Sequence, residues 1–137
     1  MKKVAFALIL LTITSIYAQD KPVTKEKMTN TTNNNEAKLL RHVVLFQFKK
    51  STTAEKIKEI EVAFHQLPSK IKEINGYEWG LNNSPENLSK GFTHCFFLTF
   101  KNEEDRAKYL PHPDHKAFGT LLTPHLEDVL VLDYWTN

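Results

Sequence analysis

The chain has 137 residues, of which 41% are hydrophobic and 11% aromatic, with 18 basic side chains against 16 acidic ones. These proportions fit one globular domain and exclude a disordered, collagen-like or disulfide-rich chain. A near-neutral balance lacks the basic footprint of a nucleic-acid binder, and the single cysteine, Cys95, excludes an internal disulfide or a cysteine-based metal knuckle.

The first 18 residues have the layout of a secretory signal. Lys2 and Lys3 precede the apolar run from Val4 to Leu11, and small and polar residues lead to Ala18 before Gln19-Asp20. A membrane-spanning helix needs about 20 apolar residues, and this stretch is shorter and interrupted by Thr12, Thr14 and Ser15. Cleavage after Ala18 leaves 119 residues and 16 basic against 16 acidic side chains. The mature protein is therefore expected to be exported, periplasmic or extracellular, with no stable membrane insertion. Residues 19–38 carry few apolar side chains and the run Thr29-Asn30-Thr31-Thr32-Asn33-Asn34-Asn35, the composition of a disordered polar tether.

The folded domain is read as residues 39–137. His42-Val43-Val44-Leu45-Phe46-Gln47-Phe48 is rich in β-branched and aromatic residues and predicts a strand. Thr52 with Glu55 has the spacing of a capping box. Ile57, Ile60, Phe64, Leu67, Ile71 and Ile74 follow at helical spacing, with Pro68 ending or kinking the first helix. Tyr77 to Leu81 is a short strand, Asn82 to Gly91 has turn chemistry, and Phe92 to Phe100 is the strongest strand signal in the chain. Asn102 caps a helix running through Tyr109 to Pro111. Pro113 opens another, with Asp114 expected as its cap, and Val129 to Tyr134 closes the chain as a strand. The order β-α-β-β-α-β predicts an α+β fold, a four-stranded antiparallel sheet with helices on one side.

Both faces of that sheet are apolar. His42, Val44, Phe46 and Phe48 share one face with His94, Phe96, Leu98 and Phe100. The helices cover this face and leave Val43, Leu45, Phe97, Val129 and Val131 on the other, a patch larger than soluble monomers usually expose. A second copy is the simplest cover, so a homodimer joined through the sheet face opposite the helices is expected.

Polar chemistry gathers on the helix-covered face. His42 and His94 have its parity, and the corner Tyr109-Leu110-Pro111-His112-Pro113-Asp114-His115 bends back towards it. Several imidazoles and a phenol in an aromatic cavity form a small-molecule site suited to proton transfer near neutral pH. Trp79 either packs or lines the cavity mouth. The plainer reading makes His42 and His94 core residues bonded to backbone groups. A metal set of His112, His115 and His94 rests on i, i+3 spacing alone, and neither a metal nor a cofactor is assigned.

Leu40-Arg41-His42-Val43-Val44-Leu45-Phe46, Trp79-Gly80, Gly91-Phe92-Thr93-His94, Tyr109 to His115 and Val131-Leu132-Asp133-Tyr134 together resemble the stress-responsive dimeric α/β-barrel (Dabb) domain. The resemblance spans residues 39–137 and implies a ferredoxin-like protomer whose sheets pair into a dimeric barrel. The family's best understood activity is that of a plant polyketide cyclase, in which a histidine acts as general base beside a tyrosine. By motif, the resemblance implies that His115 is the base and Tyr109 the assisting phenol, with His42 and His94 as further cavity histidines; His112, held on the same stiff corner, is counted with them, Phe64 and Trp79 as substrate-binding. A pocket tyrosine of the cyclase falls on Phe64. The expected function is an exported small-molecule-binding dimer with cyclase- or isomerase-like acid–base activity; the alternative is a non-catalytic structural or stress-protective dimer.

Overall fold

The structure is a computed structural model that describes residues 38–137. The expected signal, and the tether up to residue 37, lie outside the described residues. Strand β1 (Leu40–Phe48) leads into helices α1 (Ala54–His65) and α2 (Leu67–Lys70), then strands β2 (Gly76–Leu81) and β3 (His94–Phe100). Helices α3 (Glu103–Tyr109) and α4 (Pro113–Leu122), a single 3₁₀ turn and strand β4 (Leu126–Trp135) complete the domain. The sheet order is β2-β3-β1-β4, antiparallel throughout. This is the α+β, ferredoxin-like arrangement expected from the order of the elements.

Local chemistry sets most element ends. Pro68 enters the first turn of α2, where its missing N–H costs nothing, and Asn102 accepts the Asp105 N–H at 2.8 Å to cap α3. Two expected caps move. Thr53, not Thr52, caps α1 by accepting the Lys56 N–H, while the Thr52 hydroxyl donates to the His125 carbonyl at 3.2 Å. His112, not Asp114, caps α4: its Nδ1 accepts the Asp114 N–H at 3.2 Å. The loop before β3 turns at Gly91, whose φ of +90° is a backbone conformation that side-chain-bearing residues rarely adopt.

The core lies between the helices and one face of β1, β3 and β2. Leu40, Val44 and Phe46 alternate with half-buried neighbours on β1, and Phe96, Leu98 and Phe100 are fully enclosed on β3. Phe64 and Ile60 of α1 and Phe118 and Leu122 of α4 close over them, with Phe64 stacked on Phe96 at 4.1 Å between ring centroids.

The parity of β4 corrects the expected division of faces. Val131 pairs with Val44 and Val129 with Phe46, whereas Leu132 pairs with Val43 and Leu130 with Leu45. Directly paired residues share a face, so Val129 and Val131 belong to the helix side and Leu130 and Leu132 to the reverse side. The helices stop short of this edge strand. Val131 is 52% exposed and Leu132 54%, which leaves both faces of β4 uncovered in the protomer.

Candidate functional site

The uncovered helix-side face of β4 forms one wall of a cleft of about 420 Å³; β1, α4 and the corner between α3 and α4 form most of the rest, with Phe64 of α1. Val44, Phe46, Phe64, Phe118, Leu122, Val129 and Val131 make most of its lining apolar. Apart from Thr123, its polar side chains are grouped together: His42, Tyr109, His115 and Asp133.

Tyr109 is the centre of that group. The last residue of α3, it is 1% exposed, and its ring lies 4.3 Å from that of His115 and 5.8 Å from that of His42 by centroid. Burial pushes its phenol well above the ordinary tyrosine pKa, so the group is a neutral hydroxyl, able both to donate and to accept. The short turn Leu110-Pro111-His112 brings α4 back so that His115, in its first turn, meets Tyr109.

Each flanking imidazole has one nitrogen committed. His115 Nδ1–H donates to the Leu110 carbonyl at 2.9 Å. His42 Nδ1–H donates to Asp133 Oδ1 at 2.7 Å, across the β1–β4 ladder in which the two residues pair directly. Arg106 of α3 places Nη1 3.0 Å from the other carboxylate oxygen, Oδ2. Because a carbonyl or carboxylate can only accept, Nδ1 carries the proton in both rings, and the neutral form of each has its lone pair on Nε2. Burial lowers the His42 pKa below its ordinary value; the hydrogen bond and charge of Asp133 pull it up without prevailing, and His115 and Arg106 lower it further.

Of the residues expected at the site, His42, Tyr109, His115 and Phe64 meet in the cleft and three do not. His94 lies on the same sheet face, four residues along β3 from the partner of His42, or about 13 Å at the rise of a strand. There it pairs with Glu61 at 3.2 Å and with the Thr93 hydroxyl at 2.7 Å. Burial opposes ionisation of Glu61, yet hydrogen bonds from Lys58 and His94 bring its pKa below the ordinary carboxylate value. His112 is committed to capping α4. Trp79 packs on Phe96 and His65 at the β2 side of the sheet, away from the β4 edge. A metal set of His94, His112 and His115 is therefore not assembled, and among the described residues no group of three or more His, Cys, Asp or Glu is placed to hold a metal ion.

Two polar residues of the site escape a reading of the sequence alone. Asp133 enters through the β1–β4 register and Arg106 through the packing of α3 against that edge. The only local signal was Asp133 within the terminal Val-Leu-Asp-Tyr stretch.

With this geometry in place, the family can be assigned. Residues 40–136 match the Stress responsive A/B Barrel Domain, Dabb. This chain belongs to the Dabb family. A stress-response A/B barrel domain-containing protein of Arabidopsis thaliana is 39% identical to it over 95 residues, which span 69% of this chain and 87% of the relative. The olivetolic acid cyclase of Cannabis sativa is 27% identical over 95 residues, spanning 69% of this chain and 94% of the cyclase. Among solved structures, the hydroxynitrile lyase of Passiflora edulis superposes on the Dabb domain with a TM-score of 0.70 at 26% identity, covering 74% of this chain and 95% of the lyase. A dimeric protein of unknown function and ferredoxin-like fold from Bacteroides fragilis gives a TM-score of 0.59 at 28% identity, covering 72% and 96%.

Proposed function

We propose that this Dabb protein binds a small carbonyl- or hydroxyl-bearing molecule in the cleft and moves a proton on it, in a cyclase-, isomerase- or lyase-like reaction. One observation carries this reading: two imidazoles, each with Nδ1 committed and Nε2 free, flank a buried phenol at the polar end of a mostly apolar cleft. His115 is the general base and Tyr109 polarises or protonates the substrate oxygen, while His42 offers a second acceptor. The apolar end, including Phe64, holds the hydrocarbon part of the ligand. Two similar proteins named for their chemistry, a cyclase and a lyase, support a site of this kind on this scaffold.

The working unit in this proposal is a homodimer in which Val43, Leu45, Phe97, Leu130 and Leu132 of each sheet cover their counterparts. Burying such a side chain is worth ~1.5–3 kcal/mol, so the reverse face supplies a driving force comparable with the ~4–15 kcal/mol cost of association. A similar dimeric ferredoxin-like structure supports this assembly. The positive, apolar and small-residue layout of residues 1–18 supports export.

A thermal-shift screen of carbonyl and phenolic compounds, with olivetolic acid and a hydroxynitrile among the probes, tests the site. Compounds that stabilise the wild type should bind at least about tenfold more weakly to His115→Ala and Tyr109→Phe, both remaining folded. For any reaction found, His115→Ala should lose about 10²–10⁴-fold in turnover. No stabilising compound, or equal stabilisation of wild type and variants, contradicts the proposal.

A further inference from the structure

We propose that Arg106 is a positioning residue that keeps His42 neutral by supplying the permanent positive partner of Asp133. The carboxylate is divided between two neighbours: Oδ1 accepts from His42 Nδ1 at 2.7 Å and Oδ2 lies 3.0 Å from Arg106 Nη1. A half-buried carboxylate draws a cation to itself. If His42 were its only neighbour, the imidazole would be pulled towards the protonated form, and protonation would occupy Nε2, the nitrogen that faces substrate chemistry. A guanidinium does not deprotonate in proteins. Arg106 therefore meets the electrostatic demand of Asp133, and His42 needs to contribute only a neutral N–H.

The surroundings of His42 are compatible with this division. Asp133 faces it from β4, Arg106 and Tyr109 from α3, and His115 from α4, while β3 presents the uncharged ring of Phe100. Tyr109 is held as a neutral phenol by burial. Among the described residues, Asp133 is thus the one anion facing the ring, and Arg106 the one fixed cation beside that anion. The Arg106 side chain is 25% exposed and that of Asp133 32%, so the pair is partly shielded from solvent screening, although less so than the ring of His42.

This role deepens the acid–base reading of the cleft, but it is tested on the imidazole itself. A cleft with no acid–base chemistry and an Arg106 with no influence on His42 therefore give different results. The His42 resonances of the full-length protein, assigned by their loss in His42→Gln, are followed by NMR from about pH 5 to about pH 8. R106Q keeps a hydrogen-bond donor near Oδ2 and removes the charge; R106K keeps the charge. The titration midpoint of His42 is expected to move up in R106Q and to return most of the way in R106K. In an Asp133→Asn background the effect of residue 106 should shrink to the direct repulsion between Arg106 and His42, and this pair remains informative if R106Q alone misfolds. An unchanged midpoint in folded R106Q, an equal rise in R106K, or an undiminished effect of R106Q in the Asp133→Asn background would overturn the proposal.

Discussion

The proposed chemistry needs a neutral imidazole, and at His42 burial is the largest cause favouring it, with His115 and Arg106 acting in the same direction. The unfolded chain takes up a proton at His42 near 6.5, whereas the folded protein does so at a lower pH. Between those two values the unfolded state binds more protons, so stability rises with pH through the window. The contribution of His42 is fully present above its ordinary value and is lost as pH falls towards the folded one. Urea unfolding at about pH 7.5 and about pH 5 should therefore show a steeper loss of stability in the wild type than in His42→Gln. An identical loss in both would mean that the ring is not held neutral by the fold. Residue chemistry alone went far at this scale: Tyr109, His115 and His42 are recognisable because a proline-stiffened corner and strand parity place them together. It failed at His94 and His112, whose alternative partners are a carboxylate 33 residues away and a local backbone N–H. Asp133 and Arg106 were missed for the same reason, since their roles come from cross-strand register and helix packing rather than from neighbours in sequence.

Among the elements, β4 determines the most and was the hardest to read. Its run Val129-Leu130-Val131-Leu132 is apolar at every position, so alternation gives no sign of which parity faces the helices. The answer lies in the pairing of Val131 with Val44, and the β-bulge between Gln47 and Phe48 shifts the register on the way. The other strands were legible because β1 and β3 carry histidines and large aromatics on one face and smaller or polar residues at intervals on the other. Helix starts were legible to within two residues, with the exact cap decided by which side chain reaches the orphan N–H. The observed parity makes a discriminating prediction. Val131→Asp places a charge in the cleft and should weaken ligand binding while leaving the oligomeric state unchanged; Leu132→Asp places it on the reverse face and should convert a dimer to monomer by light scattering. The opposite pattern would mean that β4 is turned over.

At the scale of the whole molecule, one sheet serves two purposes. Its helix side is filled by aromatic packing except beside β4, where the shortfall of helix cover leaves the cleft. Its reverse side carries an apolar surface suited to a second copy. The β-α-β-β-α-β order and the two apolar faces could both be inferred from sequence, because hydrophobic period and turn chemistry are local properties. The helix-side location of the cleft could be inferred as well, but its opening beside β4 could not, because that depends on where the helices fail to reach. The proposed acid–base role of the cleft rests on the commitment of Nδ1 in both His42 and His115, with Nε2 left free. Long-range nitrogen–proton correlation spectra of the full-length protein at about pH 8 observe this directly, since the two neutral tautomers and the imidazolium give distinct nitrogen shifts. The account predicts Nδ1–H with unprotonated Nε2 at both His42 and His115; a proton on Nε2 of either ring would contradict it.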